Sequence, residues 1–346
     1  MRSYERGLLV WSLATRAGAP NRAGFYARWG NPIGRPLPRT ATSVAGWSVE
    51  GRAGAALSVD RSVRRHLGFG ADPHAGFDVV WMATTDLAYP DRGLWDDAGT
   101  LEGGPWVSTR VPLGDGGALL TARLGARAGA LYWNPGRGVV SRDRYDFAGF
   151  GRLTGEASVR APFRLGTTLG VRLYGGAFVG SSPPVRQRRI LVAGADPYET
   201  FTNPLLRSRG ALLVRPDFHY HAPGGANLRG FRADLGGRWA LAANVEVARS
   251  LLKRPAGILQ AVALEAFVDA GLVDTLAVRS SPPGRWYTTL YDGGVGLVTR
   301  QQIRELDWTM RFELPLVVNR SDRAADFRAG DGRLAFRWLV SMSPSF

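Results

Sequence analysis

One feature constrains this chain above all others: apolar and polar residues alternate, in runs of about ten or more, from one end to the other. Near the end, Leu334, Phe336, Trp338, Val340, Met342 and Phe346 share one parity, and Arg337, Ser341, Ser343 and Ser345 take the other. Upstream, Leu306, Trp308, Met310, Phe312, Leu314 and Leu316 alternate with Glu305, Asp307, Thr309, Arg311 and Glu313. Trp239, Leu241, Ala243, Val245 and Val247 oppose Arg238, Asn244 and Glu246, and Leu153, Ala157 and Val159 oppose Arg152, Thr154, Glu156, Ser158 and Arg160. Ala45, Trp47, Val49, Leu57 and Val59 oppose Ser48, Glu50, Arg52, Ser58 and Asp60, while Leu120, Ala122, Leu124 and Ala126 oppose Thr121, Arg123 and Arg127. A period of two sends successive side chains to opposite faces of a strand, so the chain reads as all-β.

A soluble sandwich alternates too. Strand length and the content of the polar face separate the cases. Segments of about ten residues match a tilted membrane-crossing strand. Several charges on each polar face suit a wet lumen, and Trp11, Trp29, Trp47, Trp81, Trp239, Trp308 and Trp338 fall on or near the ends of apolar faces, as an interfacial girdle requires. In hydrocarbon an open edge leaves backbone groups unpaired, so such a sheet must close. The expectation is a transmembrane antiparallel β-barrel of about 12–16 strands forming a single domain over 1–346. Short turns are expected at 16–24 and 253–257, and external loops at 87–104 and 181–232.

The net charge of +15 would by itself point to nucleic acid or an anionic surface. The cations are almost all arginine, with Lys253 the single lysine, a preference a GC-rich coding sequence would produce, and they are scattered without any basic block. Anionic lipid, including lipopolysaccharide, suits arginine's fork; nucleic acid is set aside for want of a stacking platform or recognition helix. Cysteine is absent, which removes disulfides and thiolate metal sites. No stretch reaches the roughly 18 apolar residues of a spanning helix. The opening "MRSYERGLLVWSLATRAGA" lacks a clear cleavage site and reads as a first strand in a chain whose true N-terminus is lost.

Leu228, Arg229, Gly230 and Phe231 form a glycine-rich tip ahead of a long strand. "LEAFVDAG" follows at 264–271, then "GGVGLVTR" at 293–300, "LDWTMRFELPL" at 306–316 and a terminal Phe346. In order and spacing these resemble the barrel of the BamA and two-partner-secretion transporter superfamily, the bacterial surface antigen family. The resemblance is clearest over 185–346 and only architectural before it. It implies a long external loop folded into the lumen, with Arg229 at its tip paired to the acid of a Phe-x-Asp wall motif, here Phe267 and Asp269. Parity agrees: Val262, Leu264, Ala266, Val268 and Ala270 face one way, and Glu265, Phe267 and Asp269 the other. Asp292 and Asp307 read as inward-facing and are second-choice partners. A buried arginine needs such a carboxylate, and Gly230 would allow a tight turn. The resemblance also implies a C-terminal insertion signal, Trp338, Val340, Met342 and Phe346, read by barrel assembly machinery, a polypeptide client, and the bacterial outer membrane as location. The barrel is expected to start almost at Met1, without the periplasmic repeat domains of the family.

His219 and His221 alternate without a third ligand, so they read as a surface pair, and no metal or cofactor is expected. Hydrolase and nucleotide motifs are missing, so no catalytic residue is assigned. Glu246, Asp269 and Glu313 lie beside abundant arginine and read as ion-paired. The expected function is non-covalent assembly or translocation. The alternative is a membrane anchor for a larger surface enzyme, such as a metallopeptidase fusion.

Overall fold

The computed structural model describes residues 7–13, 22–30, 40–49, 52–63, 71–84, 96–133, 146–180, 185, 188–193, 207–209, 220–221, 225–232, 235–253, 257–274, 287–303, 306–321 and 332–345. Nine strands come first: β1 Gly7–Leu13, β2 Arg22–Gly30, β3 Thr40–Val49, β4 Arg52–Ser62, β5 His74–Thr84, β6 Ala98–Leu113, β7 Ala118–Trp133, β8 Asp146–Pro162 and β9 Thr167–Gly180. Four short pieces follow: β10 Ile190–Leu191, β11 Arg207–Arg209, β12 Tyr220–His221 and β13 Gly236–Gly237. Five strands end the chain: β14 Trp239–Lys253, β15 Leu259–Asp274, β16 Tyr287–Ile303, β17 Leu306–Val318 and β18 Leu339–Ser345. The only helical element among the described residues is a single 3₁₀ turn, Arg164–Gly166. No helix among them is long and apolar enough to cross a membrane.

Contacts divide the chain into two compact units. The first comprises Met1–Val111, Thr121–Gly155 and Ala177–Arg188. There β1 to β6 form an antiparallel meander, each strand paired with its predecessor in unbroken register. On β5 the exposed parity is apolar, Phe77, Val79 and Trp81, while Asp78, Val80 and Met82 are buried. Ala98, Leu131, Phe150, Phe178 and Val185 form an apolar cluster, with the Phe150 and Phe178 rings stacked at 5.3 Å.

The second unit comprises Pro112–Leu120, Glu156–Gly176 and Arg189–Phe346. Residues 167–176 of β9 lead to β14, and β14 to β18 pair antiparallel in chain order. Alternation on β15 is sharp: Leu264 and Val268 are 51% and 58% exposed, while Phe267 and Asp269 are 3% and 0%. The exposed face continues through Leu241, Val245, Tyr291, Val295 and Phe312. Each such aliphatic or aromatic side chain would gain about 1.5–3 kcal/mol by leaving water. A contiguous apolar face of this kind marks contact with another apolar phase. The buried face carries Asn244, Glu265, Asp269, Asp292 and Glu313. An apolar cluster that includes Ile190, Val192, Leu228, Phe231, Val273, Leu290 and Val318 seats the segment before β14 against that face.

Turn chemistry explains the tight reversals. The β6–β7 hairpin turns on Gly114 and Gly117, at φ 66° and 75°, a region open to glycine without steric cost.

Three sequence expectations change. The stretch 87–104 is not all loop, since β6 starts at Ala98. On β3 the apolar parity turns inward: Ala45 and Trp47 are buried, because Gly54, opposite Trp47 on β4, has no side chain and the indole lies over it. Among the described residues the strand order does not return from β18 to β1. The β18 edge beyond β17 is instead taken by β11, with Ser208 opposite Val340 and Arg209 opposite Leu339, and β11 in turn pairs with β12.

Candidate functional site

Geometry in the second unit brings the tip of the long segment onto the buried face of β14 to β17. Leu228, Arg229, Gly230 and Phe231 are all fully enclosed. The tip is wound by Gly225 and Asn227, at φ 54° and 51°, and tied by Leu228 N–H to the Val192 carbonyl at 2.9 Å. Gly230 itself is not in the left-handed region. Its hydrogen side chain serves close approach: a Cβ there would lie 2.7 Å from both Asp292 Cβ and Val318 Cγ1. The reason for glycine is therefore space rather than turning. Gly271 on β15 plays a similar part, leaving room for the Leu228 side chain.

Arg229 meets Asp269 as a fork. Nε donates to Oδ2 and Nη2 to Oδ1, each at 2.8 Å, and the Arg229 backbone N–H reaches Oδ2 at 3.2 Å. The Asn244 amide donates to Oδ1 at 3.0 Å and sits 3.3 Å from the carbonyl oxygens of Ala226 and Asn227, so it joins loop to wall. The remaining nitrogen, Nη1, lies 2.8–3.0 Å from oxygens of Glu313, Glu246 and Glu265. The guanidinium carbon stands 3.7 Å from the Phe267 ring centroid, a cation–π contact that uses the other residue of the Phe-x-Asp pair. Burial alone would lower the arginine's pKa; Asp269, then Glu313 and Glu246, more than offset this and hold it above its ordinary value.

Arg311 completes the cluster, donating to Glu265 at 2.8 Å and approaching Glu246 at 3.4 Å. Glu246, Glu265 and Glu313 each bring an oxygen within 4.8 Å of one another, the arrangement a cation would use. Two guanidinium groups already occupy that role.

Arg229 is thus ion-paired to Asp269. Asp292 lies opposite Asp269 in register and against Gly230, buried, but makes no ion pair with Arg229. Asp307 pairs through its backbone with Gln302 and Ser345, and its side chain lies outside the described residues. Trp338 stacks on Phe312 at 6.5 Å, and Val340 is half-buried. Met342 pairs by backbone with Met310, while Phe346 lies outside the described residues. His219 also lies outside them, and His221 is described only as part of β12.

The first unit holds a second cluster that the sequence reading missed. Arg188 and Glu102 are both fully buried, and Arg188 Nη2 lies 2.6 and 2.7 Å from the two Glu102 oxygens. Arg127 bridges Glu102 at 3.3 Å and Asp78 at 2.8 Å, and Asp78 also accepts from Ser58 at 2.6 Å and Trp106 Nε1 at 2.8 Å. The one sequence signal is Gly129, whose missing side chain makes room for Glu102 on the neighbouring strand.

No family model matches the chain, and no curated protein matches it. Solved structures with similar coordinates include CdiB from Acinetobacter baumannii, at 16% identity and a TM-score of 0.44, covering 94% of this chain and 46% of that one. BamA from Haemophilus ducreyi lacking POTRA domains 1–3 aligns at 11% identity and a TM-score of 0.45, covering 98% and 69%. CdiB from Escherichia coli aligns at 14% identity and a TM-score of 0.44, covering 94% and 60%. The chain therefore spans about half the length of the Acinetobacter protein.

Proposed function

We propose that the chain is an outer-membrane β-barrel of the assembly and translocation type, with the Arg229 loop bracing its lumen. The observation that carries this is the division of labour across β14 to β17. One face is apolar and exposed, and the other encloses Arg229 and half-buries Arg311 among Asp269, Glu265, Glu246 and Glu313. A soluble sheet of this length gains nothing from an uncovered apolar face. In a bilayer that face meets acyl chains, and every backbone group must find a partner within the sheet. Fixing the loop by ion pairs and hydrogen bonds makes its role mechanical: it occupies the lumen, and its movement would open a path for an extended polypeptide client. Outer-membrane lipid, lipopolysaccharide included, and the barrel assembly machinery are the other partners of this reading. Trp338, Val340, Met342 and Phe346 serve as the insertion signal.

Folding into detergent micelles, followed by electrophoresis with and without boiling, tests the reading. The expected result is a compact species that unfolds only on heating. A chain that purifies as a soluble monomer without detergent would overturn it.

A further inference from the structure

We propose that Arg188 and Glu102 form a second latch, which anchors the root of the long segment to the wall of the first unit independently of the Arg229 tip. The proposal rests on reading that segment as a lumen plug and adds how the plug is fastened.

The geometry is that of an anchor rather than of a surface ion pair. Both side chains are fully buried, and one guanidinium nitrogen is shared by the two carboxylate oxygens at 2.6 and 2.7 Å. Arg127 holds the same carboxylate from a neighbouring strand, and Asp78 holds Arg127. The acid is therefore fixed from within the wall before Arg188 reaches it. Just before Arg188 the chain is tied again: its N–H bonds to the Val185 carbonyl at 2.9 Å, and Val185 is buried with Ala98, Leu131, Phe150 and Phe178. An apolar foot and a charged clasp thus lie three residues apart, both within the first unit. The tip fastens separately within the second unit, on Asp269 and the cluster around Leu228 and Phe231.

Two fastenings with no shared residue should open separately. When the tip leaves Asp269, the root stays on Glu102.

The absence of cysteine makes the test clean. Val185→Cys and Leu228→Cys, each alone in the otherwise unaltered chain, place one thiol at the foot and one at the tip. Maleimide labelling in detergent micelles reads their exposure, and both thiols are expected to react slowly. Adding Glu102→Ala, or Arg188→Met where the alanine variant fails to fold, should speed labelling at 185 by about tenfold or more and leave 228 within about twofold. Asp269→Ala should do the reverse. Glu102→Asp should restore most of the protection at 185, which a purely space-filling role would not predict. Unchanged protection at 185 in both latch variants overturns the second latch. So does equal exposure of both thiols by either class of substitution. Fast labelling at 228 in the chain with no other change counts instead against the lumen brace, so the two failures are distinct.

Discussion

Arg229 and Asp269 are joined at two points, Nε to Oδ2 and Nη2 to Oδ1, both at 2.8 Å and both wholly shielded from solvent. Parallel bonds of this kind fix orientation as well as distance, so the loop tip has one seating on β15.

Removing Arg229 strands the Asp269 carboxylate in a buried site, and removing Asp269 takes the fork from the guanidinium and leaves it only the glutamates at Nη1. Asp269→Ala and Arg229→Ala should each cost about 3–5 kcal/mol of unfolding free energy, and the double variant clearly less than their sum. Urea titration in micelles measures all three, and the boiled-versus-unboiled gel shift should shrink in the single variants. Additive losses would mean that the pair does not couple.

Asp292 faces Asp269 across the β15–β16 ladder, two acids directly opposite each other. Two acids cannot both ionise there without cost, and Asp292→Asn keeps the shape while removing one of them. The expected outcome is a gain of up to about 1 kcal/mol in the same titration. A loss as large as that of Asp269→Ala would show that the Asp292 carboxyl holds the loop at Gly230.

Gly230→Ala places a methyl against Asp292 Cβ and Val318 Cγ1, backed by strands that cannot yield. Overpacking of this kind costs about 1–3 kcal/mol. A loss of that size in the urea titration would report an unseated tip, and an unchanged midpoint would show that the wall gives way after all.

Val268→Arg asks what lies outside the sheet. In hydrocarbon an arginine at such a site costs about 2–4 kcal/mol, whereas on a water-facing strand it costs almost nothing. A folding titration into vesicles distinguishes the two, and a neutral result would remove the membrane from the interpretation.

Much of this was legible in the sequence because a period of two survives without knowledge of neighbours. Parity alone sent Asp269 and Phe267 to the buried face and Leu264 and Val268 outward, and the structure agrees. The family resemblance then supplied the loop residue opposite Asp269. What period cannot carry is register. Glu265 falls beside Ala248 and Gly296 beside Glu313 only once the strands are aligned, so the convergence of Glu246, Glu265 and Glu313 on two arginines was invisible. Trp47 was placed outward by parity because nothing in the sequence says that Gly54 stands opposite it. Arg188 and Glu102 are 86 residues apart in the chain, with no periodic signal linking them.

The hairpin of β11 and β12 has a consequence for strangers. A tethered segment competes at an effective concentration of about millimolar, so any foreign ribbon seeking the flank of Leu339 and Val340 must first evict a resident that cannot diffuse away. Admission there is a contest of exchange, and only an invader offering more than the two rungs the hairpin supplies can win it.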